Sequence, residues 1–127
     1  MLIAHLPAGY LLSRIYPPCR RLPFWVLLGS VLPDIDMFYF FAIDHGTVHH
    51  HSYLTHRPVV WLCLLILSRL LVHRQLCALA AGGLLHMVLD SVTGAIVWGW
   101  PIWDHPSPLI VVPATQVWWV MSFVLHW

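Results

Sequence analysis

Three aspartates lie inside stretches that are otherwise apolar: Asp34 and Asp36 within Leu22 to Ile43, and Asp90 within Leu76 to Trp98. A carboxylate near the centre of a lipid-buried helix costs about 2.5–3.5 kcal/mol, so these three demand compensation from whatever the chain folds into. The surroundings leave little else to supply it. The chain is 60% hydrophobic and 9% charged, against about a quarter charged in a typical soluble domain. Its basic residues are all Arg and its acidic residues all Asp, with a formal net charge of +1. No charge run suggests a nucleic-acid partner.

Five apolar runs organise the sequence: Leu2 to Ile15, Leu22 to Ile43, Pro58 to Val72, Leu76 to Trp98, and Leu109 to Trp127. A bilayer crossing takes about 20 such residues, a length reached by the second, fourth and fifth runs. The first and third are shorter, suited to partial or tilted spans. Pro17-Pro18, Pro101 and Pro106 to Pro108 fall between runs, as helix breakers should. The expectation is a single all-α domain over residues 1–127, a multi-pass membrane bundle of about four to five hydrophobic segments. Membrane lipids are its first partners. Trp98, Trp100, Trp103, Trp118, Trp119 and Trp127 suit interfacial belts. Cys19, Cys63 and Cys77 form neither a close metal-binding pair nor a disulfide framework and read as packing residues. The N-terminus lacks the basic start of a cleavable signal peptide, so it is expected to remain in the mature protein.

Arg14, Arg20 and Arg21 cluster between the first two runs, and Arg69 and Arg74 bracket the turn between the third and fourth. The positive-inside rule places these turns in the cytoplasm. Asp34, Asp36, His86 and Asp90 then fall toward the outer half. His5 begins the first run on the same side, as do the loop carrying His45, His49, His50, His51 and His56, and the later loop with Asp104 and His105. His73 and His126 lie on the opposite side.

Protonation, hydrogen bonding or a bound cation could each reconcile the buried carboxylates with lipid. The cation is favoured here because histidines arrive at the same depth. His86 and Asp90 are four apart and share a helix face, a spacing that also suits a plain hydrogen-bonded pair. Asp34 and Asp36 would diverge on a regular helix. An interruption at Pro33 would let both face one site or bridge two ions. Arg57 could clamp an anionic oxygen or anchor a lipid headgroup, with equal weight. Ser52, Thr55 and Thr93 suit hydrogen-bonding roles behind the ligands rather than nucleophilic ones.

Four elements occur in one order: Ala4-His5-Leu6; Leu32-Pro33-Asp34-Ile35-Asp36; His51 through Thr55-His56; and Leu85-His86-Met87-Val88-Leu89-Asp90 followed by Thr93. Together they resemble the bacterial membrane-bound metal-dependent hydrolase family of LexA-regulated inner-membrane type, over residues 5 to about 101. The family pattern has His-Arg-Gly-x-Thr-His-Ser as its third element. This chain has His51-Ser52-Tyr53-Leu54-Thr55-His56-Arg57, which keeps both histidines and lacks the Arg-Gly and the final Ser.

The resemblance implies one or two divalent ions, zinc foremost and Mn2+ among the others, held by His5, Asp34, Asp36, His51, His56, His86 and Asp90. A looser likeness to zinc-dependent phospholipase C implies phosphoester or lipid-linked substrates. The expected activity is hydrolysis by a water that the ion activates, at the extracytoplasmic face of a bacterial inner membrane. With no Glu or Lys in the chain, the base must be an Asp or His; Asp36 and His56 are the candidates, with Arg57 as the anion clamp. A membrane transporter or sensor of metal ions is the alternative, and it would need polar residues continuing to the cytoplasmic face. A structural protein with neutral, hydrogen-bonded acids is a third reading.

Overall fold

The computed structural model describes residues 2–15, 21–43, 53–106 and 108. Five α-helices carry them: α1 (Leu2–Ile15), α2 (Leu22–Val31), α3 (Asp36–Ala42), α4 (Pro58–Leu70) and α5 (Arg74–Thr93). Short 3-10 turns at Leu32–Ile35 and Leu54–His56 join α2 to α3 and lead into α4. The described residues contain no β-strand, so the all-helical expectation holds. The predicted fifth run, Leu109 to Trp127, lies outside them.

Among the described residues, two stretches are long and apolar enough to cross a membrane, Leu22–Phe40 and Arg74–Val92. The first continues from α2 through the 3-10 turn into α3, and its interruption has a simple cause. Pro33 has no backbone N–H and its ring collides with the carbonyl four residues earlier, so the α-helix tightens into a 3-10 turn there. α1 and α4 have 14 and 13 residues, with the predicted limits met at Leu2, Ile15 and Pro58.

The fourth run requires a correction, because α5 stops at Thr93 rather than continuing to Trp98. Gly94 leaves the helix in extended conformation, with φ −97° and ψ 154°. The apolar residues beyond it fold back, burying Ile96 and Val97, and the Trp98 indole N–H donates to Ser91 Oγ at 2.7 Å. The apolar run is real, but its last residues pack onto the helix instead of extending it. At the other end of α5, His73 Nδ1 accepts from the Leu76 backbone N–H at 3.2 Å and caps the first turn.

α5 is the central helix. It packs most extensively on α2 and next on α4, while α1 lies mainly against α2. The α2–α5 crossing is set by glycine on both sides. A Cβ at Gly29 would meet the Leu79 carbonyl oxygen, and one at Gly82 would meet the carbonyl oxygen of Val26. The backbones therefore touch where side chains would normally separate them. Leu22, Val26 and Ala78 form the buried core below this crossing, with Leu12 and Trp25 packed against it.

α4 ends in a Schellman turn. The His73 N–H donates to the Ser68 carbonyl at 2.8 Å and the Val72 N–H to that of Arg69 at 3.2 Å. The left-handed position of such a turn normally holds glycine, whereas here it holds Val72 with φ 54°.

Candidate metal centre

The start of α1, the break between α2 and α3, the entry to α4 and the last turns of α5 meet at one end of the bundle. Each contributes a titratable side chain. His5, His56 and His86 are fully buried, and Asp90 is 1% exposed. Donor atoms of Asp34, His56, His86 and Asp90 all lie within 4.8 Å of one another.

The individual separations are those of close His–Asp pairs and are also short enough for ligands around one small ion. His86 Nε2 stands 2.9 Å from Asp90 Oδ2 and 3.5 Å from Asp34 Oδ1. His56 Nε2 stands 3.5 Å from Asp90 Oδ2 and 3.8 Å from Asp34 Oδ1. His5 joins them through Nε2, 3.2 Å from Asp90 Oδ1, its ring stacked on His86 with centroids 3.9 Å apart. Ligands held about 2.0–2.1 Å from zinc stand about 3.3–3.4 Å apart at the corners of a tetrahedron.

Two imidazoles are oriented from behind. His86 Nδ1 lies 2.8 Å from the Ser30 carbonyl oxygen, a partner that accepts only, so this nitrogen carries the proton and donates. The carbonyl is available because Ser30 lies in the last turn of α2, where Pro33 has ended the helical ladder. His86 Nε2 is thereby turned, fully buried, toward Asp90 Oδ2 and Asp34 Oδ1. A buried nitrogen in that state, aimed among carboxylates, fits a metal ligand. His56 is held the same way, with its Nδ1 2.6 Å from Asp36 Oδ2.

The expectation for Asp36 is therefore corrected. It stands on the far side of the His56 ring from Asp34, accepting from His56 Nδ1 and from Thr55 Oγ1 at 2.5 Å. The two aspartates flanking Ile35 bracket one imidazole instead of sharing an ion. Both contacts use Oδ2, while Oδ1 is buried without a hydrogen-bond partner, and Asp36 is not among the four residues whose donor atoms converge. Burial of His56 works against its charged form, but hydrogen bonds and charge from Asp36 and Asp90 outweigh it and raise its pKa from 6.5 to about 9.

Arg57 follows His56 and packs to one side. Its Nη1 donates to Asp104 Oδ1 at 2.9 Å and its guanidinium lies 5.8 Å from the centre of the Trp100 ring. The Trp61 indole N–H donates to the Thr55 carbonyl at 2.8 Å, fixing the turn that presents His56. His51 and Ser52 lie outside the described residues, as do Asp44, His45, His49 and His50. Thr93 closes α5. Asp104 and His105 are exposed.

Sequence spacing pointed to His5, Asp34, His56, His86 and Asp90, and the fold brings these five together. It did not point to the Ser30 carbonyl or to Asp104 as the partner of Arg57. A polar residue three positions before a proline in an apolar run was the available signal for Ser30, since such a proline frees carbonyls in the preceding turn. No protein-family model, curated protein or solved structure matches the chain.

Proposed function

We propose that this chain is a membrane-embedded, metal-dependent hydrolase of the membrane-bound metal-dependent hydrolase type, acting on a phosphoester or lipid-linked substrate. The observation that carries the reading is the convergence of three imidazole Nε2 atoms and two carboxylates from four separate elements, in a setting too apolar to hold the carboxylates otherwise.

His5, Asp34, His56, His86 and Asp90 would hold one divalent ion, zinc foremost. An additional ion would need ligands beyond these five, and His51 is the candidate from the sequence. When bound, such an ion lowers the pKa of water toward about 7 and stabilises negative charge developing on a phosphoryl or acyl oxygen.

The chain's own residues supply the rest. Asp36 and the Ser30 carbonyl engage the Nδ1 atoms of His56 and His86 and so turn both Nε2 atoms toward the cluster. Among the five donors, Asp34 has the most open side chain, 17% exposed where His56, His86, His5 and Asp90 are at 2% or below. Substrate and water would approach over Asp34, and its carboxylate is the one placed to take up the proton of the attacking water. Arg57 would release Asp104, itself 69% exposed, to clamp an anionic oxygen of the substrate.

Lipid is the setting we favour for the outer surface, where Leu11, Ile15, Phe24, Phe38, Leu70 and Val72 are all more than 60% exposed. Arg14, Arg21, Arg69 and Arg74 lie at the end away from the metal centre, with Arg57 at the other, so the positive-inside rule would turn that centre toward the extracytoplasmic side of a bacterial inner membrane.

The test is elemental analysis of protein purified without chelator, followed by a hydrolysis screen over phospholipids and soluble phosphoesters. Stoichiometric transition metal that is lost in Asp90→Ala, together with an activity lost in the same variant, is the expected result. Protein that carries no such metal, or an Asp90→Ala variant that keeps full activity, would end the proposal. Metal uptake into proteoliposomes without hydrolysis would favour a transporter instead.

A further inference from the structure

We propose a second site, for a phosphate group, at the end of the bundle opposite the metal centre. Its basis is a cavity of about 370 Å³ lined by Arg21, Leu22, Val72, His73, Arg74 and Gln75. The inference is independent of the metal centre, with which the cavity shares no residue.

Its lining is cationic and lacks a counter-charge. Arg21 immediately precedes α2 and Arg74 opens α5, so two guanidinium groups from different helices border one space. Among the described residues no aspartate lines the cavity. Among the described residues neither arginine has a carboxylate partner, whereas Arg57 is paired with Asp104. Guanidinium groups are suited to phosphate oxygens, which accept their planar, paired N–H donors.

His73 adds a neutral donor. Its Nδ1 accepts from the Leu76 N–H and so carries no proton, which puts the ring proton on Nε2. The floor and wall are apolar, supplied by Leu22 and Val72. A cationic rim over an apolar wall fits a phosphate that carries acyl chains, such as an anionic phospholipid headgroup. The same rim would also take a free phosphate, so the shared chemistry is a phosphate anion.

The experiment uses the full chain purified in neutral detergent with two probes, short-chain phosphatidylglycerol and inorganic phosphate. Binding is read by native mass spectrometry for the lipid and by calorimetry for phosphate. Wild-type protein is expected to bind at least one probe, with roughly tenfold weakening for each guanidinium removed in Arg21→Gln and Arg74→Gln, the worth of a charge-assisted hydrogen bond. Unchanged metal content in both variants would show that the bundle is intact. Lipid retained against excess phosphate identifies a lipid headgroup as the source, and displacement by phosphate identifies the free anion. Binding of neither probe to the wild type, or equal binding by wild type and the double variant, overturns the site.

Discussion

His86 donates its Nδ1 proton to the backbone carbonyl of Ser30, 56 residues away in sequence and 2.8 Å away in space. The bond ties the chemistry of α5 to the point where α2 ceases to be a regular helix. Pro33→Ala would let the ladder continue, drawing the Ser30 carbonyl back toward a helical N–H. Metal affinity should fall by about 10–100-fold, the usual consequence of losing a group that orients a ligating histidine. A competition titration against a fluorescent chelator measures it, and an unchanged affinity would show that the carbonyl is not what orients the ring.

Asp34 and Asp36 should separate cleanly when each is changed to Asn. Asp34→Asn alters an atom among the donors and should abolish stoichiometric metal. Asp36→Asn keeps the shape behind His56 and should leave metal bound with about 10–100-fold weaker affinity. Equal losses in the two variants would contradict the arrangement in which both aspartates flank the same imidazole.

Metal uptake should depend on pH through His56. Without metal its pKa is about 9, raised from 6.5, so at neutral pH the ring is protonated and an incoming ion must displace that proton. Apparent affinity is therefore expected to tighten up to about tenfold per pH unit between 6.5 and 9 and to level off above. The metal-free protein should show the opposite trend in stability. A raised folded-state pKa gives stabilisation that is complete below 6.5 and is lost as pH rises through 9. Thermal melts in chelator across that interval test the sign.

Chelation itself should lower the melting temperature reversibly. An ion present at 100 times its dissociation constant stabilises the folded state by about 2.7 kcal/mol. Restoration by zinc but not by magnesium would match the nitrogen-rich donor set. A melting temperature indifferent to chelator would argue that the buried acids are neutralised by protons alone.

Val72 offers a test of the α4 terminus. Its left-handed conformation costs a residue with a side chain about 1–2 kcal/mol, so Val72→Gly should stabilise the bundle by roughly 1 kcal/mol in a detergent melt. A destabilised variant would mean that the isopropyl group contributes more as the wall of the cationic cavity than it costs in strain.

Helix limits were most legible where a breaker stands next to an apolar run, as at Ile15, Pro33 and Pro58. They were least legible at the end of α5. Gly94 is a weak stop, and Ala95 to Trp98 have the same composition whether they extend a helix or fold back on one. Helical spacing placed His86 and Asp90 on one face correctly, because that relationship is local. Whether Asp36 faces the ion or the back of His56 depends on how a 3-10 turn rotates against a separate element, and no periodicity encodes that. Arg57 is a similar case: its partner Asp104 is 47 residues away. Composition pointed to a membrane setting, and among the described residues two stretches reach crossing length by themselves.

Because Gly29 and Gly82 bring two backbones into direct touch, the height of Asp34 relative to His86 is fixed by main-chain atoms that have no rotamers to adjust. Alanine at either position would wedge the helices apart and shift the donors on one relative to the other, at a point with no titratable group of its own. The geometry of the donor cluster is therefore set in part at this bare crossing, where a single methyl group would act as a shim between two rods.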